Sequence, residues 1–176
     1  MNIEIKKSIK PVKYFFALQK MEQRLEQILS NNKKELIWVL EHSEIFTGGT
    51  SYKDNEILDK TINFIKTNRG GKITYHGPGQ LVFYFVIDLN KRGKNIRKLI
   101  NTIEKTIIDT LKDFKIKSFA DKKNIGIWVN HDNESKKIVP CGIKDRNVTN
   151  LNLIKKQNYI KIKSILIKNF LINIEK

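Results

Sequence analysis

Twelve consecutive residues, Arg69 to Gln80, constrain this chain more than any other stretch: R-G-G-K-I-T-Y-H-G-P-G-Q. They hold four glycines, one proline and no carboxylate, and the apolar run Leu81-Val82-Phe83-Tyr84-Phe85-Val86-Ile87 follows at once. Glycine allows positive φ and lets a ligand approach the main chain closely. Arg69, Lys72 and His76 place positive or switchable charge beside that backbone. A hairpin needs only about two to five turn residues. A segment of twelve, with strands read at Lys72–Tyr75 and Leu81–Asp88, therefore reads as a binding loop rather than a decorated turn.

Composition narrows the classes. The 176 residues, 40% hydrophobic and 30% charged, suit one soluble globular domain with a real core. No apolar run approaches the ~20 residues that span a bilayer, so no membrane association is expected. Met1 to Lys7 lacks the apolar core of a signal peptide. One cysteine cannot form an internal disulfide, which fits a cytoplasmic location. The net charge of +16 raises nucleic-acid binding. Against it, the basic residues are dispersed, only Arg24, Arg69, Arg92, Arg97 and Arg146 are arginines, and aromatics do not interleave with them for stacking. A basic surface suits an acidic protein partner equally well. Three scattered histidines and one cysteine give no metal-ligand spacing, and neither a Walker loop nor a G-x-G-x-x-G turn is present. Neither metal nor cofactor is expected.

Tyr14, Leu18, Met21, Leu25 and Ile28 recur at helical spacing and predict a helix over about 11–30, with Pro11 in its first turn and Asn31-Asn32 breaking it. Leu36 to Leu40 predicts a buried strand, Thr47 to Asn55 a loop, Glu56 to Asp59 a helical turn and Asn63 to Ile65 a short strand. Ile96, Leu99, Ile100, Ile103, Ile107, Leu111 and Phe114 mark a second long helix. Ile125 to Val129 predicts a strand, and 147–156 and 164–173 closing helices. Helices and strands alternate without regular βαβ spacing. The fold class is α/β (α+β), a single mixed sheet flanked by helices.

Three segments carry a resemblance to a known family. The Arg69–Gln80 segment resembles the signature of the octanoyltransferases, or lipoyl(octanoyl) transferases. Trp38 to Thr50, with Glu41-His42 and Thr47-Gly48-Gly49, resembles that family's strand and E-H loop. Ile138-Val139-Pro140-Cys141-Gly142 resembles the P-C-G segment that carries its nucleophile. The order is kept from about Tyr14 to the C-terminus. The departure lies near 130–138. Trp128-Val129 leads through the polar stretch Asn130–Lys136 directly into Lys137-Ile138, and the family's K-I-x-x-x-G strand and H-G-x-A-L-N segment are absent. The resemblance thus implies a single octanoyltransferase-like domain over 1–176, shortened by about a β-hairpin, with the fold of biotin and lipoate protein ligases.

The resemblance also implies a chemistry. Cys141 would take the octanoyl group from octanoyl-[acyl-carrier-protein] as a thioester and pass it to a lysine of lipoyl domains, those of 2-oxoacid dehydrogenases and the glycine cleavage H protein. On composition alone a lone cysteine is more often a small buried hydrophobe. A thiol with pKa about 8.5 needs a base or a nearby cation. The family uses a lysine, and Lys137 is the candidate here, with Lys136 weaker; a solvated lysine beside a strand is an equal reading of Lys137. Arg69, Gly70, Gly71, Lys72, Ile73, Thr74, Tyr75 and His76 match the substrate-binding loop position by position. His76 and His42 read as structural or substrate-shaping, and His131 as exposed. A monomer is expected. The alternatives are a catalytically impaired homologue that binds acyl groups or lipoyl domains, and an ATP-dependent lipoate or biotin ligase.

Overall fold

A computed structural model describes residues 3–57, 59, 61–121, 126–130 and 148–175. Their contacts form two compact units, the first ending at Asp88 and the second opening at Leu89.

In the first unit the six residues Glu35–Leu40 (β2) are all buried. An apolar run covered on both faces is what a central strand requires. It pairs in parallel with β1 (Ile3–Lys7) and antiparallel with β6 (Val82–Val86). Leu36, Trp38 and Leu40 pack with Ala17 and Ile28 of α1 (Tyr14–Leu29) and with Val86. The second sheet centres on β3 (Ile45–Gly48), parallel to β4 (Phe64–Lys66) and antiparallel to β5 (Ile73–His76). A 3-10 turn, Asp54–Glu56, lies between β3 and β4.

The α/β class with mixed pairing holds, and that pairing is shared between these two three-stranded sheets and a two-stranded ribbon described below. Several boundaries move. Pro11 lies before α1 rather than in its first turn, because Val12 is drawn into a β-bridge with His42. Thr47 and Gly48, expected in a loop, belong to β3. The helical turn falls at Asp54–Glu56 rather than Glu56–Asp59. Asn31 ends α1 as expected, at φ 57°, a conformation asparagine tolerates better than most residues.

In the second unit α2 (Ile96–Asp113) opens on Asn95, whose side chain accepts from the Lys98 N–H at 2.9 Å. A short ribbon, β7 (Phe119–Ala120) with β8 (Ile127–Trp128), and a single turn, α3 (Leu151–Ile154), precede α4 (Ile162–Ile174). Leu111, Phe114 and Ile116 form the apolar core. The buried face of α2 differs from its isoleucine stripe. Ile96 and Ile100 are exposed, while Thr106 and Thr110 are buried and bond to Asn173 and Asn169 of α4.

Candidate active site

The Arg69–Gln80 segment is two loops rather than one. Its middle forms β5, and β5 and β6 lie in different sheets. The chain crosses between sheets at Gly77–Leu81, so no hairpin joins them.

The first arm, Thr67–Lys72, folds against Gly48–Ser51. The Thr67 N–H and hydroxyl both donate to the Gly48 carbonyl, at 2.8 and 2.9 Å. The Arg69, Gly71 and Lys72 carbonyls accept from Thr50, Ser51 and Gly49 N–H at 2.9, 3.1 and 3.2 Å. Gly49 must be glycine here, because a Cβ would overlap the Gly70 and Gly71 carbonyls. Gly71 stands at φ +88°, which side chains rarely adopt.

Arg69 braces this arm from within. Its Nη2 donates to the Thr47 carbonyl (2.8 Å), the Thr47 hydroxyl (2.9 Å) and the Lys72 carbonyl (2.7 Å), and its Nη1 donates to the Gly70 carbonyl (2.9 Å). The planar guanidinium fork suits such convergent acceptors. The side chain expected to hold substrate is engaged with the loop itself. With the carbonyls turned inward, the Gly70 and Gly71 N–H groups have no hydrogen-bond partner among the described residues. Lys72 pairs with Glu56 at 2.6 Å, and this bond holds the Glu56 carboxyl below its usual range.

The second arm, Gly77–Gln80, is held by Glu41 of the E-H pair. The Glu41 carboxylate accepts from the Gly79 N–H at 2.9 Å. Gln80 donates to the Tyr75 carbonyl (3.1 Å), which leaves its Oε1 facing His76 Nδ1 at 2.9 Å. His76 therefore donates from Nδ1, and its Nε2 has no partner among the described residues.

Behind the arm lies an aromatic cluster. His42 is fully buried between the Val12 carbonyl (Nδ1, 2.7 Å) and the Tyr84 hydroxyl (Nε2, 2.8 Å). A carbonyl only accepts, so Nδ1 carries the proton and Tyr84 donates to Nε2. His76 stacks on Tyr14, with ring centroids 5.6 Å apart, and meets His42 edge-on at 5.3 Å. Burial holds both histidines below their ordinary pKa, against the Val12 bond at His42 and the Gln80 bond at His76. Burial also raises the Tyr84 phenol. The cluster is neutral near pH 7.

The structure brings Arg69 to His76 together on and around β5, where Tyr75 also packs on Phe46 at 4.9 Å. Cys141, Lys137, Lys136 and His131 lie outside the described residues. Sequence reasoning missed the bracing roles of Glu41, Tyr14, Tyr84 and Gln80. A tyrosine inside an apolar strand run was the available signal for Tyr84, since its hydroxyl needs a partner when buried. Among the described residues, no group of three or more His, Cys, Asp or Glu side chains could hold a metal, and no helix is long and apolar enough to cross a membrane.

This architecture is the lipoate-protein ligase fold. A crystal structure of lipoate-protein ligase A bound with ATP superposes with TM-score 0.61 at 12% identity, over 99% of this chain and 86% of that one. That of P. falciparum LipL1 in complex with lipoate gives 0.59 at 16% identity, over 98% and 62%. The family model for the lipoyl protein ligase A/B catalytic domain matches residues 13–153, and the chain belongs to that family, on its octanoyltransferase side. The octanoyltransferase of Ehrlichia ruminantium (strain Gardel) is 44% identical over 138 residues, 77% of this chain and 66% of that relative's length. That of Anaplasma phagocytophilum (strain HZ) is 40% identical over 148 residues, 83% and 71%. The chain thus spans about two thirds of the length of the curated relatives it matches.

Proposed function

We propose that the chain is an octanoyltransferase of lipoate biosynthesis, with 1–176 acting as one catalytic domain shortened near 130–138. Octanoyl-[acyl-carrier-protein] is the donor, and lipoyl domains of 2-oxoacid dehydrogenases and the glycine cleavage H protein are the acceptors. The Cys141 thiolate attacks the donor thioester carbonyl. A Cys141 acyl-thioester forms, and the carrier leaves as its thiol. The acceptor lysine amine then attacks that carbonyl, the C–S bond breaks, and an amide and free Cys141 result. Exchange of one thioester for another is nearly energy-neutral, so no ATP is consumed. Lys137 takes the Cys141 proton and returns it to the leaving thiolate. The Gly70 and Gly71 amides hold polar atoms of the substrate; Arg69 keeps the Gly70 carbonyl turned away, and the Ser51 N–H does the same for Gly71.

The observation that carries this reading is the family match over 13–153, which takes in both the braced loop and Pro140-Cys141-Gly142. A second reading, a homologue that binds acyl groups or lipoyl domains without turnover, is favoured by the absence of the family's K-I-x-x-x-G strand and H-G-x-A-L-N segment ahead of Pro140-Cys141-Gly142. Intact-mass spectrometry after mixing with octanoyl-carrier protein separates them. An octanoyl adduct on the wild type and none on Cys141→Ala is expected. A folded wild type without adduct would overturn the transferase reading.

A further inference from the structure

We propose that the surface carrying Phe15 and Phe16 at the start of α1 docks the acidic acyl carrier protein that donates the octanoyl group. This rests on the transfer reading above. Phe15 and Phe16 are 60% and 48% exposed, whereas Tyr14 and Ala17 on the same turn are buried. The helix spends its inner face on the core and presents two aromatic rings outward. Two grooves share Phe16. One, of about 630 Å³, is bounded by Phe15, Leu18 and residues 66–68. The other, of about 440 Å³, is bounded by the Ile9–Lys13 turn, where Ile9 is wholly exposed.

Lys10, Lys13 and Lys66 line these grooves, and the Lys20 ammonium sits 5.6 Å from the Phe16 ring centroid. None of the four forms a salt bridge among the described residues. Among the described residues, Glu22 is the one carboxylate on either groove wall. An apolar aromatic centre inside a charged rim is the anatomy of a protein–protein interface. A second copy of this chain would bring lysine against lysine, so the rim selects a partner rich in carboxylates.

Position separates donor from acceptor. Residues 66–68 directly precede Arg69, yet no residue of 69–80 lines either groove. The surface lies beside the substrate loop rather than on it. An acceptor whose own lysine attacks must bring its surface within one side chain of the acyl group. A carrier holds its acyl group on a long flexible arm and can dock to one side.

The test uses the full chain, fluorescently labelled octanoyl-carrier protein, and the exposed-site variants Phe16→Glu and Lys66→Glu. Wild-type binding is expected to weaken as salt rises from about 50 to about 300 mM. Each variant should bind the carrier about tenfold more weakly, with octanoyl transfer from the small thioester octanoyl-pantetheine unchanged. Carrier binding that is absent in the wild type, or equally tight in both variants, would overturn the docking surface. So would equal loss of transfer from both donors, since the residues would then only support the fold. A wild type that binds the carrier through this surface but transfers from neither donor would uphold the docking and remove the transfer reading.

Discussion

The first unit seals a histidine in its interior, whereas the second seals two threonines and an asparagine. His42 is fully buried with both ring nitrogens bonded, one to the Val12 carbonyl and one to the Tyr84 hydroxyl. Across α2 and α4, Asn173 donates to the Thr106 hydroxyl at 3.3 Å, and Asn169 donates to the Thr110 hydroxyl at 3.1 Å. Both threonine hydroxyls also donate to carbonyls four residues earlier, at 2.7 and 2.8 Å. Each arrangement satisfies buried polar groups. Only the histidine can change charge near neutral pH. It also joins three segments distant in sequence, while the threonines tie one helix face to another. The first unit should therefore depend more steeply on single side chains and on acidity.

The chain has two tryptophans, Trp38 in the first unit and Trp128 in the second, so single-tryptophan variants can read the units separately. The largest effect is expected from His42→Ala. It opens a cavity, leaves the Tyr84 hydroxyl without its ring partner and removes the shorter of two bonds to the Val12 carbonyl, at a cost of about 3 kcal/mol. Urea unfolding followed by Trp38 in a Trp128→Phe background measures it. A loss below about 1 kcal/mol would mean that water or a shifted Tyr84 replaces the ring.

The pH response should be intermediate. His42 and His76 are held below their ordinary value of 6.5 by burial, and the positive charge of Arg69 pushes His76 the same way. Below pH 6.5 the unfolded chain binds protons that the folded cluster resists, so folded stability falls as pH drops, until the folded pKa values are passed. Stability read by Trp38 should decline between about pH 7 and pH 5, and His42→Asn should flatten that decline. An unchanged slope in His42→Asn would assign the effect to His76 or to carboxylates instead.

The smallest effect belongs to the second unit. Asn173→Ala should cost about 1 kcal/mol, because Thr106 keeps its bond to the Thr102 carbonyl. Replacing both partners, Thr106→Val with Asn173→Leu, should stay within about 1 kcal/mol of wild type. Unfolding followed by Trp128 in a Trp38→Phe background checks both. A double variant costing more than either single one would show that the polar pair specifies the helix packing.

What could be read from sequence follows the range of the forces involved. The two long helices were legible because an apolar period of 3.6 is a local signal, and Asn31 marks the end of the first with local chemistry. Leu36–Leu40 was legible because an apolar run buried on both faces needs no knowledge of its neighbours, whereas the burial of Glu35 was not. The face of α2 was not. Its isoleucine stripe points partly to solvent, since the asparagines of α4 select the threonines instead. Arg69 was legible as important but not in its task, because its acceptors at Thr47 stand twenty-two residues away.

The sequence by itself determined the family, the glycine-bearing segment and the positions of its long elements, because motif order, turn chemistry and periodicity are written along the chain. Only the tertiary structure decided that β5 and β6 part into different sheets, that Arg69 braces its own loop, that Glu41 holds the second arm, and that His42 bonds Tyr84 behind it. The physical reason is that strand partners and buried hydrogen bonds join residues far apart in the chain, and no local pattern records which of them will meet.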